Sequence, residues 1–305
     1  MLSQLESILS AQGLLELLPR FAAENISDEV LPHLTDADLL AIGVDKLGNR
    51  KLLLAAFASL GRGQAPVAGD PAAARRDRPF VNSLGLPFVP IPGIRTLACV
   101  WQVRVRDFRA YCTEAGIGYP ECDFVQGDDH PAVNLTWHEA VAFSEWLTHR
   151  EHHTGFLGTG FVYRLPEDRE WSAMVGLAHE PGKTPSERSG RTGGYPWGAV
   201  FPPPRGGGNY HSSLGTDDFP ATSPVGSFLP NACGIHDLGG NVWEWCLDDF
   251  DESRDRKVLR GASCFNDDSE YLLSSHRDKN PPGNRRNNNG LRLVLKRAVE
   301  KELWF

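Results

Sequence analysis

Six cysteines are the residues of this 305-residue chain best suited to redox or metal chemistry. None belongs to a C-x-x-C pair; they are Cys99, Cys112, Cys122, Cys233, Cys246 and Cys264. Zinc knuckles and dithiol redox sites require closely spaced thiols, and thiols in a reducing compartment stay unpaired. We therefore expect reduced cysteines and no zinc knuckle, although export by a route that the sequence does not reveal would leave disulfides open.

Three histidines form a second group with metal-binding chemistry. His149, His152 and His153 have the i, i+3, i+4 spacing that places side chains on one helix face, where they could hold a metal ion. The alternative is a solvated helix end, where cationic histidines lie near the negative end of the helix dipole. We favour this second interpretation.

The segment from Arg260 to Val294 combines a fixed frame with side chains that suit binding. The frame is Arg260 to Ser263, Arg277, Pro282, Arg285 and Gly290 to Val294. The side chains between these points are Phe265, Asn266, Asp267, Tyr271, Ser275, His276, Asp278, Asn280, Asn284, Asn287, Asn288 and Asn289. They follow neither the period of 2 nor the period of 3.6 that burial imposes, so the pattern predicts a surface.

The genetic code connects these side chains to each other. Each can be reached from an Asn codon by changing only its adenines, whereas Glu270 and Lys279 cannot. Phe265, Tyr271 and His276 are the expected binding anchors, because aromatic rings give a large contact area at a small entropy cost. The alternative is an Asn-rich surface loop without function, since Asn and Gly tolerate turn geometry.

The elements that must position these residues fall into two predicted domains. Residues 1–62 carry apolar side chains at helical spacing and predict a compact bundle of about five helices, one of them capped by Thr35 with Asp38 three positions later. Residues 63–79 are small, Gly- and Pro-containing, and predict a flexible linker. Residues 80–300 change to Trp, Gly, Pro and short strand-like runs, with helices starting near Val103, after Thr136 and after Pro166.

Charge and hydropathy exclude two classes of partner. A net charge of −8 and a pI near 5.7 give no general attraction to phosphate backbones, so we expect no nucleic acid partner. No apolar run approaches the roughly 20 residues of a membrane span, and Met1 begins no signal peptide. We therefore expect a soluble cytoplasmic protein.

The N-terminal sixty residues resemble a sterile alpha motif (SAM) domain. The resemblance is carried in order by the strings FAAENI (21–26), LTDADL (34–39), IGV (42–44) and LGNRKLL (47–53). It implies assembly, either by self-association or by docking to a SAM-bearing partner, and more rarely RNA binding. The alternative is an inert helical cap.

Residues 80–300 resemble the formylglycine-generating enzyme family, also called the sulfatase-modifying factor domain. The matching strings are NSLGLPFVPIPG (82–93), HPAVNLTW (130–137), YRLP (163–166), EW (170–171), YPWG (195–198), SPVGSF (223–228), GNVWEW (240–245) and RGAS (260–263). The resemblance implies an α+β fold class: a small all-α SAM bundle followed by a loop-rich C-type lectin fold.

The family's oxidase chemistry depends on two cysteines that bind copper, and the resemblance places them at Asn266 and Tyr271. Only thiolates hold Cu(I) tightly, and Cys264 stands alone two positions early. We therefore predict a chain that is not an enzyme and binds no copper. The alternative is an ordinary member of the family, degenerate or catalytically active as an oxidase. The related iron-dependent sulfoxide synthases need an extra helical domain that these residues do not supply.

Segment 260–294 also resembles the variable region of proteins mutagenised by diversity-generating retroelements, which is displayed on a C-type lectin fold. The resemblance implies that the side chains between the frame positions form a hypervariable surface for an unknown protein or other ligand. Arg260, Arg277 and Arg292 are expected to be buried or half-buried and to bind carboxylates and carbonyls.

The family's two calcium sites have counterparts here. The first matches Asn209 and Asp217 by side chain, with the carbonyls of Tyr210 and Phe219. The second matches Asp237 and Glu244, with the carbonyls of Gly240 and Val242. Both sets offer the oxygen ligands that calcium prefers, and we expect structural calcium, more strongly at the second set. The alternative is that Asp217 and Glu244 cap local turns and pair with arginines.

Overall fold

The chain forms two compact units, Met1–Val67 and Ala68–Phe305, in a computed structural model. The structure describes residues 4–24, 26, 31, 34–61, 69–177 and 179–298. Of the predicted linker 63–79, residues 63–68 lie outside this description. From Gly69 onward the segment belongs to the second unit, where Pro71–Ala73 forms a 3-10 helix capped by the Asp70 carboxylate.

The first unit is a helical bundle. Its helices are α1 (Gln4–Ala11), α2 (Leu18–Ala23), α3 (Asp36–Ala41) and α4 (Leu47–Gly61), with a 3-10 helix at Leu15–Leu17. Its core consists of Leu5, Leu9, Leu14, Leu17, Phe21, Leu31, Leu39, Val44, Leu53 and Phe57. The predicted cap is confirmed: Thr35 Oγ1 accepts the Asp38 N–H at 3.3 Å, and Asp38 Oδ2 accepts the Thr35 N–H at 2.8 Å.

The second unit contains two sheets and short helices. One sheet has the strand order β1-β2-β3-β9-β4 and is antiparallel; the other has the order β7-β6-β5-β8, in which only β5 and β8 run parallel. The strands are β1 (Phe80–Val81), β2 (Pro87–Pro90), β3 (Thr96–Cys99), β4 (Phe161–Arg164), β5 (Trp243–Asp249), β6 (Lys257–Arg260), β7 (Asp278–Asn280), β8 (Asn289–Gly290) and β9 (Val294–Arg297). The helices are α5 (Val105–Ala115), α6 (Trp137–Thr154), α7 (Asp168–Val175) and α8 (Pro185–Arg188).

Regular elements make up a small part of this unit, as its Gly- and Pro-rich sequence predicts. Helix α6 begins after a capping box of Thr136 and Glu139 and ends at Gly155, whose positive φ suits glycine. Segment 260–294 starts at the end of β6, passes through β7 and β8 and reaches β9, so both sheets fix its ends. Within the described ranges, no helix is long and apolar enough to cross a membrane.

Candidate functional site

Buried arginines hold the backbone of segment 260–294. Arg260 donates from Nη2 to the Ser274 carbonyl at 2.9 Å and from Nε to the His276 carbonyl at 3.1 Å. Arg277 donates to the Ser275 carbonyl at 2.7 Å. The frame arginines thus fix the main chain of the segment through carbonyl groups, which every residue type possesses. The predicted burial of these arginines is confirmed.

The same arginines share two buried carboxylates. Asp168 forms ion pairs with Arg260, with Arg277 at 3.0 Å and with Arg188 at 2.8 Å, and Glu180 accepts from Arg277. Burial alone would raise the pKa of Asp168, but the arginines outweigh it and hold the pKa well below its usual range. Burial also raises the pKa of Glu180, but the hydrogen bonds from Arg277 outweigh burial, so the pKa of Glu180 is lowered as well. Both carboxylates therefore carry full charge at neutral pH.

Phe265 and Tyr271 project from this held backbone and are the large apolar side chains of the segment that remain exposed, at 41% and 44%. The Phe265 ring meets Phe124 edge-on at 6.0 Å between centroids. The Tyr271 ring packs edge-on against the His276 ring, with 4.9 Å between the ring centroids. The centroids of the His276 and Trp243 rings are 5.9 Å apart. Burial lowers the pKa of His276, which favours the neutral ring.

The other predicted binding residues differ in exposure. Asp267 is exposed, and the half-buried ones are Asn266, His276, Asp278, Asn284, Asn287 and Asn288. Asn266 and Asn288 also have a local role, because the Asn266 amide oxygen accepts the Ser263 N–H at 2.9 Å and Asn288 donates to Ser263 Oγ at 3.0 Å.

Three predicted binding residues are instead buried, contrary to the surface that the pattern predicts. Ser275 donates through its hydroxyl to the Thr192 carbonyl, Asn280 ends strand β7, and Asn289 lies in β8 beside Trp243 of β5. These side chains face inward because strand pairing and a distant loop cover them. They cannot contact a ligand while the domain is folded.

The positions that the resemblance assigns to the copper-binding cysteines hold a hydrogen-bonded amide, Asn266, and an exposed phenol, Tyr271. The nearby Cys264 is buried, and burial raises its thiol pKa to about 12. A thiol with so high a pKa is protonated at neutral pH and is a poor metal ligand. All six cysteines are unpaired in the structure.

The first predicted calcium set offers oxygen atoms that are suited to a cation. The Asn209 side chain is buried and donates to the Ala221 carbonyl at 2.8 Å, while its Oδ1 has no hydrogen-bond partner among the described residues. Asp217 accepts the N–H groups of Tyr210 at 3.1 Å and Phe219 at 2.9 Å, which brings its carboxylate to the two residues whose carbonyls complete the set. An unpaired buried oxygen is costly, so these residues fit a calcium ion.

The second set does not fit a calcium ion, because Glu244 is already neutralised. Arg292 Nη2 lies 2.7 Å from Glu244 Oε1, and the indole of Trp171 donates to Oε2 at 2.9 Å. The same guanidinium donates to the His236 carbonyl at 2.8 Å. A divalent ion on Glu244 would lie beside this buried positive charge, which repels it. The arginine pairing considered as an alternative is what the structure contains.

One of the three histidines with helical spacing, His152, makes a contact within the fold. His152 Nε2 lies 2.8 Å from the Phe161 carbonyl, a contact within the fold. Within the described ranges, no group of three or more His, Cys, Asp or Glu side chains is arranged to hold a metal ion.

Sequence reasoning did not single out Asp168, Glu180 or Arg188 as partners of the frame arginines. Asp168 follows the predicted helix start at Pro166, where an acidic residue is also favourable for the helix dipole. Its contacts with Arg260 and Arg277 join positions about a hundred residues apart, and no local spacing indicates them.

Comparison with known proteins identifies relatives of both units. Residues 94–297 match the sulfatase-modifying factor enzyme 1-like domain, and residues 3–60 match the SAM domain. A formylglycine-generating enzyme of Thermomonospora curvata is 32% identical over 133 residues, which are 42% of this chain and 37% of the relative. The inactive C-alpha-formylglycine-generating enzyme 2 of Mus musculus is 30% identical over 186 residues, 56% of this chain and 51% of the relative. The chain thus spans about half or less of these relatives.

Two solved structures are similar to part of this chain. PvdO from Pseudomonas aeruginosa has a TM-score of 0.50 and 22% identity, covering 66% of this chain and 80% of that one. Treponema denticola variable protein 1 has a TM-score of 0.48 and 20% identity, covering 67% of this chain and 84% of that one. At this identity, the likeness to PvdO shows a shared fold.

Proposed function

Because the chain belongs to the sulfatase-modifying factor enzyme 1-like domain family, we propose that it uses the family fold as a non-catalytic scaffold for ligand binding. The observation that carries the proposal is the exchange of both copper-binding positions for Asn266 and Tyr271. An amide and a phenol do not replace the thiolates that hold Cu(I). The relatives include mouse and bovine proteins whose names describe them as inactive, so loss of activity has precedent in the family.

The binding surface consists of the exposed and half-buried predicted residues, which we call the display face. Its members are Phe265, Asn266, Asp267, Tyr271, His276, Asp278, Asn284, Asn287 and Asn288. Phe265 and Tyr271 are its anchors, since exposed rings on a held backbone lose little entropy on binding. The buried Ser275, Asn280 and Asn289 are not part of it.

Diversification by a retroelement explains the composition of the display face. Its residues follow the mutability of Asn codons, while Arg260, Arg277 and Arg292 supply the contacts that must not change. Because those arginines bind main-chain carbonyls and buried carboxylates, side chains between them can vary without loss of the frame. The ligand is an unknown protein or other molecule that differs between variants.

The SAM domain adds assembly or recruitment to this function. Self-association would bring several display faces together and raise apparent affinity without new contacts. Docking to a SAM-bearing partner would instead carry the display face to that partner. Within the same proposal, calcium binds at Asn209 and Asp217 as a structural ion and no copper is bound.

Two libraries in the full chain test the display face. The first randomises exposed and half-buried positions: Phe265, Asp267, Tyr271, Asn284 and Asn287. The second, a matched control, randomises the buried Ser275, Asn280 and Asn289. We expect members of the first library to melt near the parent, because surface substitutions change stability by about 0.5 kcal/mol or less. Most members of the second should lose about 1–3 kcal/mol, because larger side chains overpack these buried positions.

Selection of the first library against lysozyme as a model target should yield binders that lose binding when their residues at 265 and 271 become alanine. General unfolding of the first library would contradict the display face. A near-copy of the coding stretch for 260–294 beside a reverse transcriptase gene, differing only at adenines, would support the retroelement. Without such a copy, the chain is better explained as an ordinary degenerate member of the family.

A further inference from the structure

A half-open pocket of about 330 Å³ lies in the second unit, apart from the display face. It is bounded by the loops 196–197, 204–208, 228–231 and 235–239, and none of its lining residues belongs to segment 260–294. Pockets of about 300–1,000 Å³ accommodate small organic molecules. The size therefore suits a small ligand and not a polypeptide surface.

Its walls are apolar and partly rigid. Trp197 stacks on Tyr195 with centroids 4.7 Å apart and an interplanar angle of 7°, and its indole N–H donates to the Val200 carbonyl at 2.9 Å. Phe228 lies on another wall, and Leu229 at the same loop is 91% exposed. A stacked and hydrogen-bonded indole keeps its orientation, so it offers a preformed surface to a ligand.

Asp237 is one of the residues that line this pocket, and it is only 7% exposed. Its Oδ2 accepts the Gly226 N–H at 2.7 Å, and within the described part of the chain this carboxylate forms no ion pair. Arg292 binds the carboxylate of Glu244 and reaches Asp237 only at its backbone carbonyl, at 3.4 Å.

Arg205 is the cationic side chain of the pocket lining, and it does not neutralise Asp237. Its Nη2 pairs with Asp218 at 2.6 Å, and both side chains are largely exposed. The pocket therefore joins apolar aromatic walls to a buried carboxylate without a cationic partner. A buried charge without a partner is costly, so a bound cation would be stabilised there.

We propose that this pocket binds a small organic cation, in which an ammonium or guanidinium group carried on an apolar body pairs with Asp237. The apolar body packs against Phe228 and Leu229, and the cation lies within reach of the Trp197 ring, whose face attracts positive charge. The proposal is independent of the display face, because the two sites share no residue.

Titration of the full chain with benzylammonium and phenylguanidinium tests this, with benzyl alcohol as the neutral analogue and phenylacetate as the anion. Calorimetry is performed in EDTA, so that divalent ions do not compete. We expect saturable one-to-one binding of both cations, with an affinity about tenfold or more above that of benzyl alcohol, since a desolvated cation contact contributes that much.

Asp237→Asn should reduce cation binding about tenfold or more, because the amide keeps an acceptor for the Gly226 N–H but removes the charge. Leu229→Lys is a second variant, at an exposed position, and should weaken binding by placing a like charge at the mouth. Asp267→Asn is the matched control, because this exposed carboxylate does not line the pocket, and it should bind as the parent does. Melting temperatures confirm that each variant is folded.

Several outcomes would overturn the proposal. They are equal binding of benzyl alcohol, tighter binding of phenylacetate, unchanged affinity in folded Asp237→Asn, and no saturable binding of either cation up to about 10 mM, which is weak even for ligands of this size. Calcium binding in the parent that is lost in Asp237→Asn would assign the carboxylate to a metal instead.

Discussion

At the scale of single residues, Asn266 and Tyr271 decide the chemistry available to segment 260–294. We predict that the chain produces no formylglycine from a Cys-containing sulfatase peptide in the presence of copper, because no pair of thiolates is available there. Mass spectrometry of the peptide measures the aldehyde, with a formylglycine-generating enzyme as the positive control. Turnover above that of a heat-denatured sample would contradict the non-catalytic function.

Arg277 is the residue of the frame with the largest expected effect on stability. Arg277→Met would leave Asp168 and Glu180 with fewer buried partners, and breaking a buried ion pair costs about 3–5 kcal/mol. Arg285→Met is the matched control in the same segment, because its pair with Glu139 is partly exposed and contributes about 1 kcal/mol or less. Urea unfolding measures both. Equal losses of unfolding free energy in the two variants would show that burial of the ion pairs does not govern the stability of the domain.

The same two carboxylates give the stability of the parent a defined pH dependence. The pKa values of Asp168 and Glu180 are lowered from 3.8 and 4.5 by folding, so the unfolded chain binds more protons than the folded chain in this range. The contribution of the two carboxylates to stability is complete above their unfolded pKa values. It is lost as the pH falls through their lowered pKa values in the folded chain. The unfolding free energy should therefore fall less steeply with decreasing pH in Arg277→Met than in Arg285→Met.

At the scale of elements, segment 260–294 is supported at defined points and not along its length. Arg260 ends β6, Arg277 directly precedes β7, and Arg292 lies shortly before β9. Each donates to carbonyl groups or buried carboxylates. The backbone path between the strands consequently depends on the arginines more than on the side chains between them.

The loops around Asn209 and Asp217 are the elements that calcium should stabilise. We predict that calcium raises the melting temperature of the parent and that EDTA reverses the increase, since a ligand that binds only the folded state stabilises it by mass action. Asp217→Asn should lose most of the calcium-dependent increase. Asp218→Asn, whose carboxylate is exposed, and Glu244→Gln should keep it. A melting temperature that EDTA leaves unchanged would refute calcium at this site.

At the scale of the whole molecule, the chain joins a helical bundle to a larger domain with its own core. We predict that the full chain forms larger assemblies than residues 69–305, because we propose that the SAM domain mediates assembly. Light scattering at increasing concentration compares the two. If both are monomeric and no SAM-bearing protein binds the full chain, the assembly role of the bundle fails.

The sequence by itself determined the two units, the family fold and the residue types at the two positions that the resemblance assigns to copper-binding cysteines. These features depend on local spacing or on ordered strings: the Thr35 cap, the apolar positions of the bundle and the string GNVWEW are recognisable without tertiary contacts. The composition of segment 260–294 likewise predicted a surface, and for Phe265 and Tyr271 the structure agrees.

Only the tertiary structure decided which polar residues face the solvent and which charges are paired. Ser275 is buried by its contact with Thr192, 83 positions away, and Glu244 is neutralised by Arg292, 48 positions away. The pocket around Asp237 is likewise built from loops that are distant in sequence. Burial and charge pairing depend on such long-range contacts, and no local period or motif encodes them.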